Sequence, residues 1–194
     1  MIEALRAGLP VVLPFDTVYG LAAEPSEEVS TRRLYELKGR PPTQPTALVA
    51  ASIDALRAAM PELDLTRAWH LLPGPFTFVV ANPQRRFPWL TGTSPETLGV
   101  RVPQLAGATH EVLAEVGAVV ATSANLPGDP DPRRLEDVPD RIRNGAAAVV
   151  DAGEVPGAPS TVVDLTGPEP RVLREGVVPA DEVLRRLQAP VRST

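Results

Sequence analysis

Short apolar runs alternate with polar, turn-rich stretches along the chain, and two periods separate them into helices and strands. Residues 2–7 read as a short helix stopped by Gly8. Val11–Leu13 is an apolar run of strand length. Ser26 reads as an N-cap, with Glu27 and Glu28 as an acidic first turn. Val29, Arg33 and Leu37 then recur at spacing four beside Leu34, which predicts a helix ending near Lys38. Thr46–Ala50, Phe76–Ala81, Leu98–Val102, Ala118–Ala121, Ala147–Val150, Thr161–Leu165 and Arg171–Leu173 read as strands. Ser52 and Thr66 read as caps of short helices, the second running through Trp69 and Leu72. Further helices are expected near 109–116 and 137–143, and Pro179 opens a last one that runs to about Leu187. The order is mixed rather than a strict βαβ repeat. It implies an α/β fold, one twisted mixed sheet flanked by helices. A single domain is expected over residues 1–190, with 191–194 as a tail.

Composition narrows the function classes. No run of 18 apolar residues occurs, so no transmembrane helix is expected, and Glu3 and Arg6 interrupt the N-terminus in a way a signal peptide does not. The expected location is the cytoplasm. The absence of cysteine excludes disulfides, thiolate metal sites and a cysteine nucleophile. Two histidines, His70 and His110, leave little for a histidine metal site or a triad. A formal net charge of −5 argues against a protein that grips nucleic acid through bulk electrostatics. Of 19 basic residues only Lys38 is a lysine. Lys offers a compact point charge where Arg offers a planar fork, so a sole Lys directs attention to its neighbourhood.

Six junctions carry the hydroxyls and cations. Pro14 to Leu21 offers Thr17 and Tyr19 beside Gly20. Lys38-Gly39-Arg40-Pro41-Pro42 ends a helix; a favourable C-terminal charge with a helix stop explains it as well as a polyphosphate clamp does. Leu72 to Thr77 is a rigid turn into a strand, from which Thr77 alone could face a ligand. In Thr97-Leu98-Gly99-Val100-Arg101, alternation puts Thr97, Gly99 and Arg101 on one face, and an Arg in an apolar strand needs an acid or an anionic ligand. Thr122-Ser123-Ala124-Asn125 is either a capped turn or a neutral recognition segment. Ser160 starts a strand, and Arg174 lies on the following one, expected to be antiparallel. No triad, paired carboxylates, Walker A loop or Rossmann fingerprint is present. The residues read as a site for a multiply charged anion and a small polar ligand, working by positioning and charge stabilisation.

These segments, in this order, resemble the YrdC family, the L-threonylcarbamoyladenylate synthases. The most specific pieces are Asp16 to Leu21, Lys38-Gly39-Arg40-Pro41, Thr122 to Asn125 and Ser160 to Asp164. The resemblance runs from about residue 5 to 187, and the length fits the short form of the family. It implies that L-threonine, bicarbonate or CO2, and ATP give L-threonylcarbamoyl-AMP and pyrophosphate for a tRNA modification, with Mg²⁺ arriving on the ATP. By matching position, Lys38, Arg40 and Arg174 resemble the phosphate contacts, and Lys38 and Arg40 the catalytic cations. Thr97 and Asn125 resemble further ATP contacts. Thr17, Arg101, Ser123 and Ser160 resemble the threonine contacts. A threonylcarbamoyl transferase complex and tRNA are the implied downstream partners.

The chain departs from the pattern where Phe15 replaces a threonine, where Gln44 and Val49 stand in place of a basic residue and a histidine of some relatives, and where Pro127 replaces a serine. Arg133 and Arg134 either restore charge in that loop or are simply solvated. Three other readings compete. One is a double-stranded RNA or tRNA binding module. Another is carbamoyl transfer of the hydrogenase-maturation type, whose Cys-rich zinc segments this chain lacks. The third is a degenerate, regulatory relative, against which the intact Lys38, Arg40, Ser123 and Asn125 speak.

Overall fold

The structure is a computed structural model that describes residues 1–188; the expected tail at 191–194 lies outside them. Helix α1 (Ile2–Arg6) precedes strands β1 (Val11–Pro14) and β2 (Tyr19–Ala23), followed by α2 (Glu28–Lys38), β3 (Ala47–Ala50) and α3 (Ile53–Ala59). Then come β4 (Phe76–Ala81), β5 (Thr97–Arg101), α4 (Gly107–Val116), β6 (Ala118–Ser123), α5 (Asp140–Gly145) and β7 (Ala148–Val149). Strands β8 (Thr161–Asp164) and β9 (Arg171–Arg174) and helix α6 (Ala180–Gln188) complete the described residues. The nine strands form one sheet in the order β7-β1-β2-β6-β3-β5-β4-β8-β9. Parallel pairs (β1/β7, β3/β5, β4/β8) sit among antiparallel ones, so the sheet is mixed as expected.

Alternation along the strands divides the core between the two faces. Leu48, Phe76, Phe78, Leu98, Val100 and Val163 join the larger cluster, which α2 and α3 cover with Leu34, Tyr35 and Leu56. Val11, Leu13, Val49 and Val119 join the smaller cluster, packed under Leu5 of α1 and Val112 and Leu113 of α4. Those two helices occupy only one end of that face. Beyond them the same face is paved by Ala47, Gly99, Thr77, Val79 and Val162, and it is concave.

Three local expectations change. Helix α2 buries Thr31, Leu34, Tyr35 and Lys38, while Val29 is exposed, so the buried stripe is offset from the predicted one. Its start is organised by Glu24, whose carboxylate accepts from the amides of Ser26 and Glu27, rather than by Ser26. Likewise Asp64, not Thr66, accepts the amide hydrogen bond ahead of the short 3₁₀ turn at Trp69–Leu71. Ser52 caps α3 as expected, through Ala55 N at 3.1 Å. At the end of α2, Gly39 is left-handed (φ 70°), and Arg40 N turns back to Tyr35 O at 2.9 Å. This C-cap closes the helix between Lys38 and Arg40 and sends the two cations in different directions.

Candidate active site

The concave part of the sheet is a cavity of about 510 Å³. Register explains its shape. Ala47 pairs with Ala121 on one side and Gly99 on the other; Gly99 also pairs with Val79, and Val79 with Asp164. The middle of this row has almost no side chain, so the floor is low, and larger polar groups stand at the ends. Thr97, Gly99 and Arg101 share the cavity face, as alternation predicts. Ser160 lies 2.9 Å from Thr77 Oγ1, and its carbonyl accepts from Arg174 Nη2 at 2.9 Å. Strand β9 is antiparallel to β8, which brings Arg174 back over Ser160.

Six of the nine candidate residues line the cavity: Arg40, Thr97, Arg101, Ser123, Ser160 and Arg174. Lys38, Thr17 and Asn125 stand behind its wall. Lys38 is 4% exposed. Its Nζ donates to Ser123 O at 2.6 Å, and to Asn125 O and Asn125 Oδ1 at 2.8 Å each. An ammonium has three N–H groups, so these acceptors use all of them. Asn125 Oδ1 also accepts from Ser123 Oγ at 2.7 Å, and Asn125 Nδ2 donates to Asp129 O at 2.6 Å. Lys38 is therefore the anchor of the Ser123–Asn125 turn. Burial, then the charge of Arg40, lower its pKa to about 8.

Thr17 is 1% exposed, and its Oγ1 accepts from Arg101 Nη2 at 2.8 Å. The same Nη2 donates to Asp16 Oδ1, while Asp16 Oδ2 accepts from Gln104 N at 3.0 Å. The motif at 14–21 thus meets the cavity chiefly by orienting Arg101. Arg101 Nε is buried without a partner, and Nη1 makes no hydrogen bond to the described residues. The Phe15 ring lies 5.9 Å from the Arg101 guanidinium and, with Val49, walls that end of the cavity with apolar surface.

Arg40 Nη1 reaches Thr122 Oγ1 at 3.4 Å, Nη2 donates to Pro45 O, and Nε is buried without a partner. Burial lowers the pKa of both Arg40 and Arg101; Tyr35 opposes this at Arg40, Asp16 opposes it at Arg101, and the charge of Arg174 adds to it at both. A guanidinium stays protonated at any working pH, so the cost remains as a demand for an anion.

The far end of the cavity carries residues to which matching by position gives no role. Asp164 lines it, held by Arg171 at 2.7 Å and Thr166 Oγ1 at 2.6 Å. The chain does hold a signal for it: Ser160, Val162 and Asp164 follow strand period two. Thr46, Thr91 and Ser94 also line the cavity from loops without a distinctive pattern. Arg133 and Arg134 bind Glu154 at 2.5 Å each and stay outside the cavity.

The Sua5/YciO/YrdC family model, described as telomere recombination, matches residues 3–176. The chain belongs to this family. A relative from Mycobacterium tuberculosis, named putative threonylcarbamoyl-AMP synthase, is 35% identical over 188 residues, covering 94% of this chain and 85% of the relative. The threonylcarbamoyl-AMP synthase of Escherichia coli is 35% identical over 174 residues, covering 86% and 90%. Among solved structures, Sua5 of Pyrococcus abyssi complexed with L-threonine superposes with a TM-score of 0.85 at 31% identity. That match covers 98% of this chain and 57% of the Sua5 chain, so the chain spans little more than half of that protein. The mixed sheet expected from the sequence is therefore the fold of this family.

Proposed function

We propose that this chain is a cytoplasmic L-threonylcarbamoyl-AMP synthase, a nucleotidyltransferase that joins L-threonine, bicarbonate or CO2, and ATP with release of pyrophosphate. The observation that carries the reading is the cavity itself. Arg40, Arg101 and Arg174 converge on a floor of small residues rimmed by Ser123, Ser160 and Thr97. The names of the relatives favour synthesis over a bare RNA-binding module.

The chemistry follows from the groups present. The threonine amine attacks CO2, forming a carbamate and releasing a proton. A carbamate oxygen attacks the α-phosphorus, and the phosphoanhydride bond breaks toward pyrophosphate. Negative charge grows on the phosphate oxygens, and Arg40 and Arg174 are fixed cations preorganised to receive it. The free side of Arg101 is a fork for the threonine carboxylate, with its orientation set by Asp16 and Thr17. Ser123 and Ser160 supply neutral hydrogen bonds. Lys38 contributes by holding the Ser123–Asn125 turn and by the field of its charge behind that wall. Mg²⁺ would arrive with the ATP, held by its phosphates and by water. The product is a reactive mixed anhydride, which calls for a threonylcarbamoyl transferase complex acting on tRNA.

The test is pyrophosphate release from ATP with and without L-threonine and bicarbonate, with nucleotide products resolved by mass. The expected result is release that needs both additions and yields an adenylate heavier than AMP. Release indifferent to threonine would overturn the reading.

A further inference from the structure

Gly99 lies in the middle of β5, paired on both sides, and its backbone is not left-handed. A Cβ added there would meet Ala47 Cα and Cβ at 3.6 Å and Thr46 O at 3.7 Å, which is ordinary contact. Every other glycine except Gly167 has either a positive φ or a neighbour closer than 3.0 Å to its added Cβ. Gly167 is half-buried in a bend after β8, away from the cavity floor. The fold thus gives no reason for glycine at 99, although glycine weakens a strand interior and there often marks the close approach of a ligand. The cavity does give a reason. Gly99 is on its floor, with Arg101 two residues further along the same face. Arg101 is 9% exposed and keeps a buried Nε without a partner, an independent sign that an anion belongs there.

We infer that Gly99 is the seat of the amino-acid substrate, a position-determining residue whose missing methyl lets the α-carbon and amine lie on the strand while the carboxylate meets Arg101. This rests on the synthase reading. An amino acid held by its carboxylate at Arg101 extends back along β5, and the first surface it meets is the bare peptide of Gly99. A methyl at 99 would stand where the substrate lies and lift the amine away from the site at which CO2 and ATP must reach it.

The test is Gly99→Ala, assayed for threonine-dependent pyrophosphate release and for thermal unfolding. The melting temperature is expected to equal or exceed that of the wild type, because the extended backbone accepts alanine and the unfolded chain loses freedom. The KM for L-threonine is expected to rise about tenfold or more, the scale of one misplaced methyl in a pocket, with the KM for ATP little changed. Adding Ala47→Gly removes the facing methyl and should restore part of the threonine affinity. Gly167→Ala serves as the control and should leave both KM values unchanged. An unaltered threonine KM, a rise confined to ATP, or loss of the folded state in Gly99→Ala would each overturn the inference. Wild-type release that ignores threonine removes the synthase reading and this seat together. Threonine-dependent wild-type release with an unaltered variant removes the seat alone.

Discussion

Lys38 and Arg101 are the cations that the fold buries among the described residues, and it treats them in opposite ways. Lys38 spends all three N–H groups on Ser123 and Asn125. Arg101 spends one terminal nitrogen on Asp16 and Thr17, leaves Nε orphaned and turns its remaining edge to the cavity. A saturated buried cation holds protein to protein. An unsaturated one carries a standing cost that a bound anion relieves. Counting donors separates the two where burial and charge alone do not.

The largest expected effect is that of Arg101→Ala. Removing the guanidinium leaves the largely enclosed Asp16 carboxylate with Gln104 N but without its cation, which costs up to about 3 kcal/mol by denaturant titration. Threonine-dependent kcat/KM should fall by about a hundredfold or more, on the scale of a lost charge-assisted contact. The double variant Asp16→Ala/Arg101→Ala should recover much of the stability and none of the threonine use. Recovery of both would place Arg101 with Lys38 as a structural cation. Next, Arg40→Ala should lower kcat by about 10²-fold, the scale of one lost transition-state donor, with threonine affinity intact by calorimetry.

Lys38 sharpens the contrast through pH. Its pKa is lowered to about 8 from 10.5, so the unfolded chain binds more protons than the folded one between those values. Stability therefore carries the cost of the buried charge below pH 8 and gains as pH rises from about 8 toward 10.5. Activity should move the other way, because the neutral amine loses part of its hold on Ser123 and Asn125. Lys38→Arg should shift the alkaline fall of activity upward; a fall at the same pH in this variant would assign it to another group. The smallest effect belongs to Arg171→Ala. Its side chain is 73% exposed and paired with Asp164, so a few-fold change in the KM for ATP is expected and a stability change of at most about 1 kcal/mol.

The parts legible in the sequence are those set by local period. Strands β4 and β5 alternate cleanly, so the sequence alone puts Thr97, Gly99 and Arg101 on one face. The buried stripe of α2 is not legible in this way. Thr31 and Lys38 are buried while Val29 is 51% exposed, because residues 123–125, far along the chain, supply the acceptors for Lys38. Strand β2 begins inside the 14–21 motif and runs past it, and it is hidden because all five of its residues are buried and no polar alternation marks it. Thr17 and Asn125 stand one layer behind the place that motif matching assigns them. Matching by position names the neighbourhood, and only register shows which side chain reaches the cavity. Asp164 lies within the Ser160–Asp164 piece of the resemblance and Arg171 on the strand that follows, but matching by position gives neither a role at the site.

The contact between Phe15 and Gly20 constrains how this pocket can change over generations. A Cβ at residue 20 would stand 2.5 Å from the Phe15 ring. While the ring stays where it is, a side chain at 20 forces it to shift. The apolar end wall thus couples two positions: a smaller polar residue at 15 would free most of the space that a side chain at 20 needs, while a side chain added at 20 beside the ring begins with a clash.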